Sequence, residues 1–406
     1  MDRRLLRQVD GWLVGAALLL AVTGVLMVFS ATSMPGHPRF DYAMRQSLWL
    51  AFGLGAAFVV ASIPMRAYDG LAPYLYAVAI VCLGLVLAVG QEVYGAKRWL
   101  GAGALRFQPS ELAKLATVLM LARVLDDKRL DLRRARSYAV PLLVALVPLA
   151  LVLKEPDLGT SLVFGAALVA MLFWAGMPTG TLLLAMTPVA NAALFLLTRG
   201  PWAFAAVFVG VLALTRPRLP ILLLLVALNG AIATGMPALW SAMEPYQRGR
   251  IETFLNPGHD PYGAGYQIIQ SRIAIGSGGP LGLGYLQGTQ KGLEFLPMKH
   301  TDFIFSVVGE ELGFWGAALI LVLYLTLLVR GLWLARVARN RFAGLVAVGV
   351  TAVLWYHVMV NVLMTVGWAP VTGLPLPLLS YGGTSFVVTC VEIGLLINVS
   401  VRRQEY

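Results

Sequence analysis

The sequence predicts an all-α protein: a polytopic transmembrane helical bundle of ten to twelve spans, with a large extracytoplasmic loop and re-entrant segments. Three observations predict it. Of the 406 residues, 59% are hydrophobic. Only 13% are charged, about half the ~25% usual in soluble domains. Apolar runs of about 18–20 residues recur along the whole length, each able to cross a hydrocarbon core about 30 Å thick.

Arg3, Arg4 and Arg7 precede the first run, residues 11–30. That run is too long for a signal peptide and further spans follow it, so it reads as an uncleaved first helix. Runs at 46–63, 72–90, 110–125, 138–153 and 158–175 follow. Next come 181–197, 202–214 and 219–236, then, after a long polar stretch, 303–329, 342–366 and 385–401. The runs 110–125 and 202–214 are short.

Orientation comes from the basic loops. Arg129, Arg133, Arg134 and Arg136 follow the fourth run, and Arg330, Arg336, Arg339 and Arg341 follow the tenth. Arg402 and Arg403 close the chain, and Arg216 and Arg218 join the same side if 181–236 crosses three times. All of these fall inside with twelve crossings; ten crossings keep the same parity. Both termini are then cytoplasmic. The segments 91–109, 239–302 and 367–383 lie outside.

The net charge of +11 sits in these short loops, so it points to membrane lipid and not to nucleic acid. Cys82 and Cys390 lie inside apolar runs and give neither a disulfide framework nor metal spacing. Four histidines without His-Glu-x-x-His exclude a typical zinc hydrolase, and the missing phosphate-loop motif excludes an ATP-driven motor. There is no internal repeat.

The stretch 246–313 is polar, charged and punctuated by glycine. It exceeds the roughly 12–15 residues beyond which a connection is usually functional or disordered, and its glycines and aromatics do not have a disordered composition. Asp260 sits in it between His259 and Pro261. It reads either as a turn aspartate or as the general base of an exposed catalytic loop. Glu111 and Lys114 open the fourth helix behind Pro109 and Ser110, a helix-start pair. Three apart, they share a face and can pair. They are either an interfacial capping acid with a snorkelling lysine or a charged pair lining a water-filled cavity. Asp302 and the pair Glu310–Glu311 are either dipole-favoured helix-start acids or part of the same outer cavity. Glu392 lies deep in the last run, where a charge is costly, and is expected to face an arginine or His357.

Residues 370–383 carry Pro370, Pro375 and Pro377 and cannot be regular helix. Irregular backbone at membrane depth is tolerated only against protein or a water-filled cavity. The segment therefore reads as an outer re-entrant loop that brings Ser380 and Tyr381 to the site. Residues 276–284 are glycine-rich without a preceding strand. They form a weak phosphate fingerprint and read better as a tight turn with close backbone packing.

Taken together, these motifs resemble the SEDS family (shape, elongation, division and sporulation proteins) of bacterial cell-wall polymerases. The matching stretches are Lys97-Arg98-Trp99, Gln108-Pro109-Ser110-Glu111 with Lys114, Lys154-Glu155-Pro156-Asp157-Leu158-Gly159-Thr160, residues 246–313 and residues 361–385. They cover most of the chain in order. Gly288-Thr289-Gln290 with Phe295-Leu296-Pro297 is similar to the elongation branch, whereas Lys291 is more like the division branch. Two departures stand out: the extra apolar segments in 181–236, and Glu392 where relatives carry an uncharged residue.

The resemblance implies one SEDS domain over residues 1–406 in the bacterial cytoplasmic (inner) membrane. It implies a peptidoglycan glycosyltransferase that polymerises lipid II during cell elongation. Asp260 matches the family's loop aspartate, and Glu111 and Lys114 match its charged pair. The leaving pyrophosphate needs positive charge; candidates are Arg98, Arg106, Arg248, Arg250, Arg272 and Lys299, with Asp302 beside them. A divalent cation such as Mg2+ could serve instead, although no carboxylate cage is legible. The implied partners are a class B penicillin-binding protein and the elongation machinery. The alternatives are a lipid II flippase, a scaffold, or a division-specific polymerase. A flippase would suit the intramembrane charges, but the outer loop that holds the best base speaks against it.

Overall fold

The computed structural model describes residues 8–33, 39–93, 96–101, 107–132, 134–198, 202–215, 219–243, 245–256, 258, 265–292 and 298–403. The elements run α1 (Gly11–Thr32), α2 (Asp41–Ser62), α3 (Met65–Val89), β1 (Gln91–Val93), β2 (Ala96–Trp99), α4 (Pro109–Asp126), a 3-10 turn (Ala135–Tyr138), α5 (Ala139–Lys154) and α6 (Leu158–Trp174). They continue as α7 (Thr179–Thr198), α8 (Trp202–Thr215), α9 (Leu219–Ala242), α10 (Pro245–Leu255), α11 (Tyr266–Gly278), α12 (Thr289–Gly292), α13 (Ile304–Val337), α14 (Arg341–Thr365) and α15 (Gly383–Val401). Each of the twelve predicted spans falls on a helix. Among the described residues, nine helices are long and apolar enough to cross a membrane, and Leu158–Trp174 is a shorter apolar helix. The remaining two are α4, which carries charges, and α8, which has 14 residues. The chain is a multi-pass membrane protein.

The long segment predicted over 239–302 contains helices: the end of α9 and all of α10, α11 and α12. In α11, Ile268, Ser271, Ala274 and Gly278 are buried at three- and four-residue spacing, the stripe of a packed helix. Glycines and polar residues masked that period in the sequence. In the segment 91–109, β1 and β2 pair antiparallel, and Leu100 bridges to Phe107.

The contacts group the chain into two compact units, one of residues 1–175 and 267–406 and one of residues 176–266. In the first, α14 is the centre. It is buried at nearly every position from Phe342 to Thr365, as an all-round apolar helix must be. It packs on α4, α6, α13 and α15, while α2 lies along α15, α1 along α13 and α3 along α4. Small residues Ala79, Ala113 and Ala116 interleave with Leu83, Val152 and Phe164 between α3, α4, α5 and α6. The start of α1 is tied by polar bonds. Asp10 caps α1 at 3.1 Å from the N–H groups of Trp12 and Leu13, and its carboxylate also pairs with Arg330 of α13. In the second unit α7 packs on α8 and α9. Asn191 donates to the Asn229 carbonyl at 2.9 Å, and Asn229 donates to Thr187 at 3.1 Å. These buried amides join the apolar helices that the sequence marks as extra.

Candidate functional site

The site grows from the start of α4. Pro109 and Ser110 begin the helix, which places Glu111 and Lys114 one turn apart and facing inward. Their side chains form a salt bridge of 2.9 Å and are 6% and 2% exposed. A snorkelling lysine would be exposed, whereas this is an ion pair buried inside the bundle. Lys114 Nζ also lies 3.0 Å from His357 Nε2 on α14. His357 and Pro375 line the same small cavity beside Glu111. Glu392 of α15 is buried within Coulombic reach of Lys114 and Glu111. Lys114 thus contacts one acid and one histidine, and its charge also reaches Glu392.

Residues 370–383 lie directly on this cluster as irregular backbone, as predicted. Their polar groups are met by side chains from other elements, which is the condition for such backbone in a membrane. Asn361 of α14 donates to the carbonyls of Asp302 at 2.9 Å and Leu374 at 2.8 Å. Tyr324 of α13 donates to Pro377, and Gln46 of α2 donates to the Ser380 carbonyl at 3.2 Å. Ser380 Oγ accepts from Leu376 N–H at 2.8 Å and donates to the Thr301 carbonyl at 2.6 Å. Tyr381 N–H donates to the His300 carbonyl at 2.8 Å, and its ring packs with Tyr42 and His300. Asp302 Oδ2 faces Gly373. A cavity of about 10 Å³, room for roughly one water, is lined by Glu111, His357, Pro375 and Ser380 among others.

The structure therefore brings Glu111, Lys114, Asp302, Ser380 and Tyr381 to one end of the first unit, with Lys299 beside them. Burial, with help from the Lys299 charge, lowers the pKa of His300. Arg98 is also in this unit, but its guanidinium grips a turn. It donates to the carbonyls of Glu155 at 3.2 Å and of Pro156, and it lies 3.7 Å from Asp157. Asp157 in turn caps α6 through Thr160 N–H at 3.2 Å. Glu155 is 1% exposed with neither carboxylate oxygen hydrogen-bonded. Burial, and secondarily the Asp157 charge, push its pKa up to about 8. Arg248 and Arg250 belong to α10 of the second unit, where Arg248 donates to the Ser241 carbonyl. Asp260 and Arg106 lie outside the described residues.

Glu310 and Glu311 lie two turns inside α13 and not at its start. Both are buried. Glu310 accepts from Thr289 N–H at 2.6 Å, Thr289 Oγ1 at 3.0 Å and Gln290 N–H at 2.9 Å. Glu311 accepts from Ser30 Oγ of α1 at 2.6 Å. A break at Gly313 (φ 64, ψ −165) frees backbone groups in the middle of α13. The glycine-rich turn pairs with them: Leu283 and Gly284 donate to the Glu310 and Glu311 carbonyls at 3.0 Å, and Phe314 donates to Gly279 at 2.9 Å. This is the tight turn with close backbone packing that the glycines suggested. Among the described residues no cluster of three or more His, Cys, Asp or Glu side chains could hold a metal ion.

Fold and site together define a polytopic membrane protein whose interior carries a buried ion cluster beneath a re-entrant outer loop. The family model described as Cell cycle protein, of the FtsW, RodA and SpoVE type, matches residues 11–203 and 201–405. The chain belongs to this SEDS family. It is 38% identical over 389 residues to the peptidoglycan glycosyltransferase MrdB of Escherichia coli K12, covering 95% of this chain and 93% of that one. Stage V sporulation protein E of Bacillus subtilis is 35% identical, covering 96% of each chain. The crystal structure of the rod shape determining protein RodA from Thermus thermophilus superposes with a TM-score of 0.65 at 30% identity, over 98% of both chains. A structure described as coordinating polymerisation and crosslinking in a peptidoglycan synthase complex gives 0.73 at 34%, over 98% of this chain and 99% of that one.

Proposed function

We propose that this chain is a peptidoglycan glycosyltransferase of the elongation type. It polymerises lipid II at the outer face of the bacterial cytoplasmic membrane, with both termini in the cytoplasm. The observation that carries the reading is the near full-length similarity to a protein named as such a transferase, at 38% identity over 95% of the chain. The buried pair Glu111–Lys114 beneath an outer re-entrant loop supports it, since the same residues carry the family motif.

The chemistry sets the roles. Lipid II joins its sugar to a polyprenyl pyrophosphate through an α bond, and the glycan product is β-linked. One in-line displacement inverts the centre, so one general base is enough. Asp260 takes the proton from the acceptor's 4-hydroxyl as that oxygen attacks the donor's anomeric carbon. The bond to pyrophosphate breaks, and cations stabilise the leaving group. Lys299, Arg248, Arg250 and Arg106 supply that charge. Arg98 contributes by holding the 155–157 turn. Glu111 and Lys114 hold the re-entrant segment through His357 and Pro375. A class B penicillin-binding protein is the partner; the peptidoglycan synthase complex among the similar structures supports it.

The test is polymerisation of labelled lipid II by purified protein with its transpeptidase partner, beside Asp260→Asn, with classical penicillin-binding glycosyltransferases inhibited. Polymer from wild type and none from the variant is expected. Equal polymer from both removes Asp260 from catalysis. Lipid II crossing proteoliposomes without any polymer would replace the transferase with a flippase.

A further inference from the structure

The turn between α13 and α14 forms a pocket that the polymerisation chemistry does not use. Its volume is about 250 Å³, and its walls include Trp174, Ala338, Arg339, Asn340, Arg341 and Leu345. A water in liquid occupies about 30 Å³, so there is room for a phosphate ester. The turn carries the basic residues that orient the chain, which puts the pocket at the cytoplasmic end. Trp174 ends α6 and is partly exposed. Tryptophan gathers at headgroup depth.

Three neighbouring arginines are already committed. Arg330 pairs with Asp10 and stacks on Trp333. Arg402 donates to the carbonyls of Ala61, Ser62 and Ile63. Arg403 lies over Trp333. Among the described residues, no hydrogen bond or salt bridge engages the guanidinium of Arg339 or Arg341. Asp126, at the end of α4, is within Coulombic reach of Arg341 and offsets part of its charge. The helix end itself is not the attraction: Asn340 Oδ1 already accepts from Phe342 N–H at 2.9 Å and Ala343 N–H at 3.4 Å. Exposed Phe173, Leu332 and Val337 flank the pocket in sequence on α6 and α13. They continue it into the surface that meets hydrocarbon.

We infer that this pocket binds the phosphate of an anionic phospholipid from the cytoplasmic leaflet. Arg339 and Arg341 grip the phosphate, and Trp174 flanks the glycerol. Two cations that no hydrogen bond or salt bridge engages among the described residues, one of them partly offset by Asp126, fit a lipid at headgroup depth better than a free anion. The inference does not depend on the polymerase reading.

The test is native mass spectrometry of the full chain titrated with phosphatidylglycerol or phosphatidylcholine. The variants are Arg339→Gln/Arg341→Gln, and Arg129→Gln as an exposed control. Wild type and the control should retain phosphatidylglycerol over phosphatidylcholine, and the double variant should bind it at least about tenfold more weakly. Equal retention by the double variant overturns the assignment. So does displacement of the lipid by millimolar inorganic phosphate, which would make the ligand a free anion. Should the double variant not fold, Arg339→Lys with Arg341→Lys keeps the charge and must keep the lipid; its loss also overturns the assignment.

Discussion

Replacing Lys114 by methionine tests the reading of the buried cluster most directly. Lys114 Nζ is 2.9 Å from Glu111 and 3.0 Å from His357, and Glu392 also feels its charge. Among the described residues it is the cation between these two acids. Methionine keeps the length and removes the charge, so both acids lose their counter-ion in a dry interior. Breaking a buried pair costs about 3–5 kcal/mol, which is roughly two to three powers of ten in the folded population. Glu111→Gln should cost less, about 1–3 kcal/mol, because Lys114 keeps His357 and Glu392. In the double variant Glu111→Gln/Lys114→Met one of the two uncompensated acids is gone and Glu392 remains, so part of the loss returns. The assay is unfolding in detergent across all four members of the cycle, with the coupling read from non-additivity. Additive losses, or a Lys114→Met no worse than Glu111→Gln, would refute the argument that Lys114 holds the cluster together.

Two further predictions concern the outer end. Gly282→Ala should reduce the yield of folded protein sharply, because its Cβ would lie 2.1 Å from the Glu311 carbonyl oxygen at a φ of +83. The strained φ alone costs about 1–3 kcal/mol. Gly165→Ala, with nothing within 4 Å, is the control, and equal size-exclusion profiles would contradict the close packing. Glu155→Gln addresses pH. Burial first and Asp157 second raise the Glu155 pKa from 4.5 to about 8, against the pull of Arg98. The folded state then keeps a proton that the unfolded chain has released, so stability falls as pH rises through that window and levels off above it. Glutamine imitates the protonated acid. Wild type and variant should unfold alike near pH 4, with the variant more stable above pH 8; a gap that ignores pH would refute the raised pKa.

The spans, the re-entrant segment and the Glu111–Lys114 pair were legible in the sequence because each is a local signal. Apolar runs, closely spaced prolines and an i,i+3 pair behind Pro109-Ser110 need no knowledge of distant residues. The polar clamps were not legible, because their partners are remote. Glu310 meets Thr289 and Gln290, Glu311 meets Ser30, and His357 joins Lys114 to Pro375. One signal pointed that way: the glycine-rich turn at 276–284 and the glycine at 313 are two halves of one interlock. Arg98 illustrates the opposite error. Its place in an outer segment suggested a substrate cation, whereas its donors are spent on the 155–157 turn.

The position of the charged pair constrains how it serves an outer reaction. The cavity beside Glu111 has room for about one water, and the 375–380 backbone covers it. A disaccharide cannot enter that space. The covering backbone is held by donors from α2, α13 and α14, each a buried side chain from a different span. It is therefore over-determined, as irregular backbone inside a membrane must be. Lys114 reaches this backbone through His357, which shares the cavity lining with Pro375. The pair therefore acts on the outer site through the segment it supports. The elements that present the outer face are fixed from below by an ion cluster whose geometry a single lysine sets.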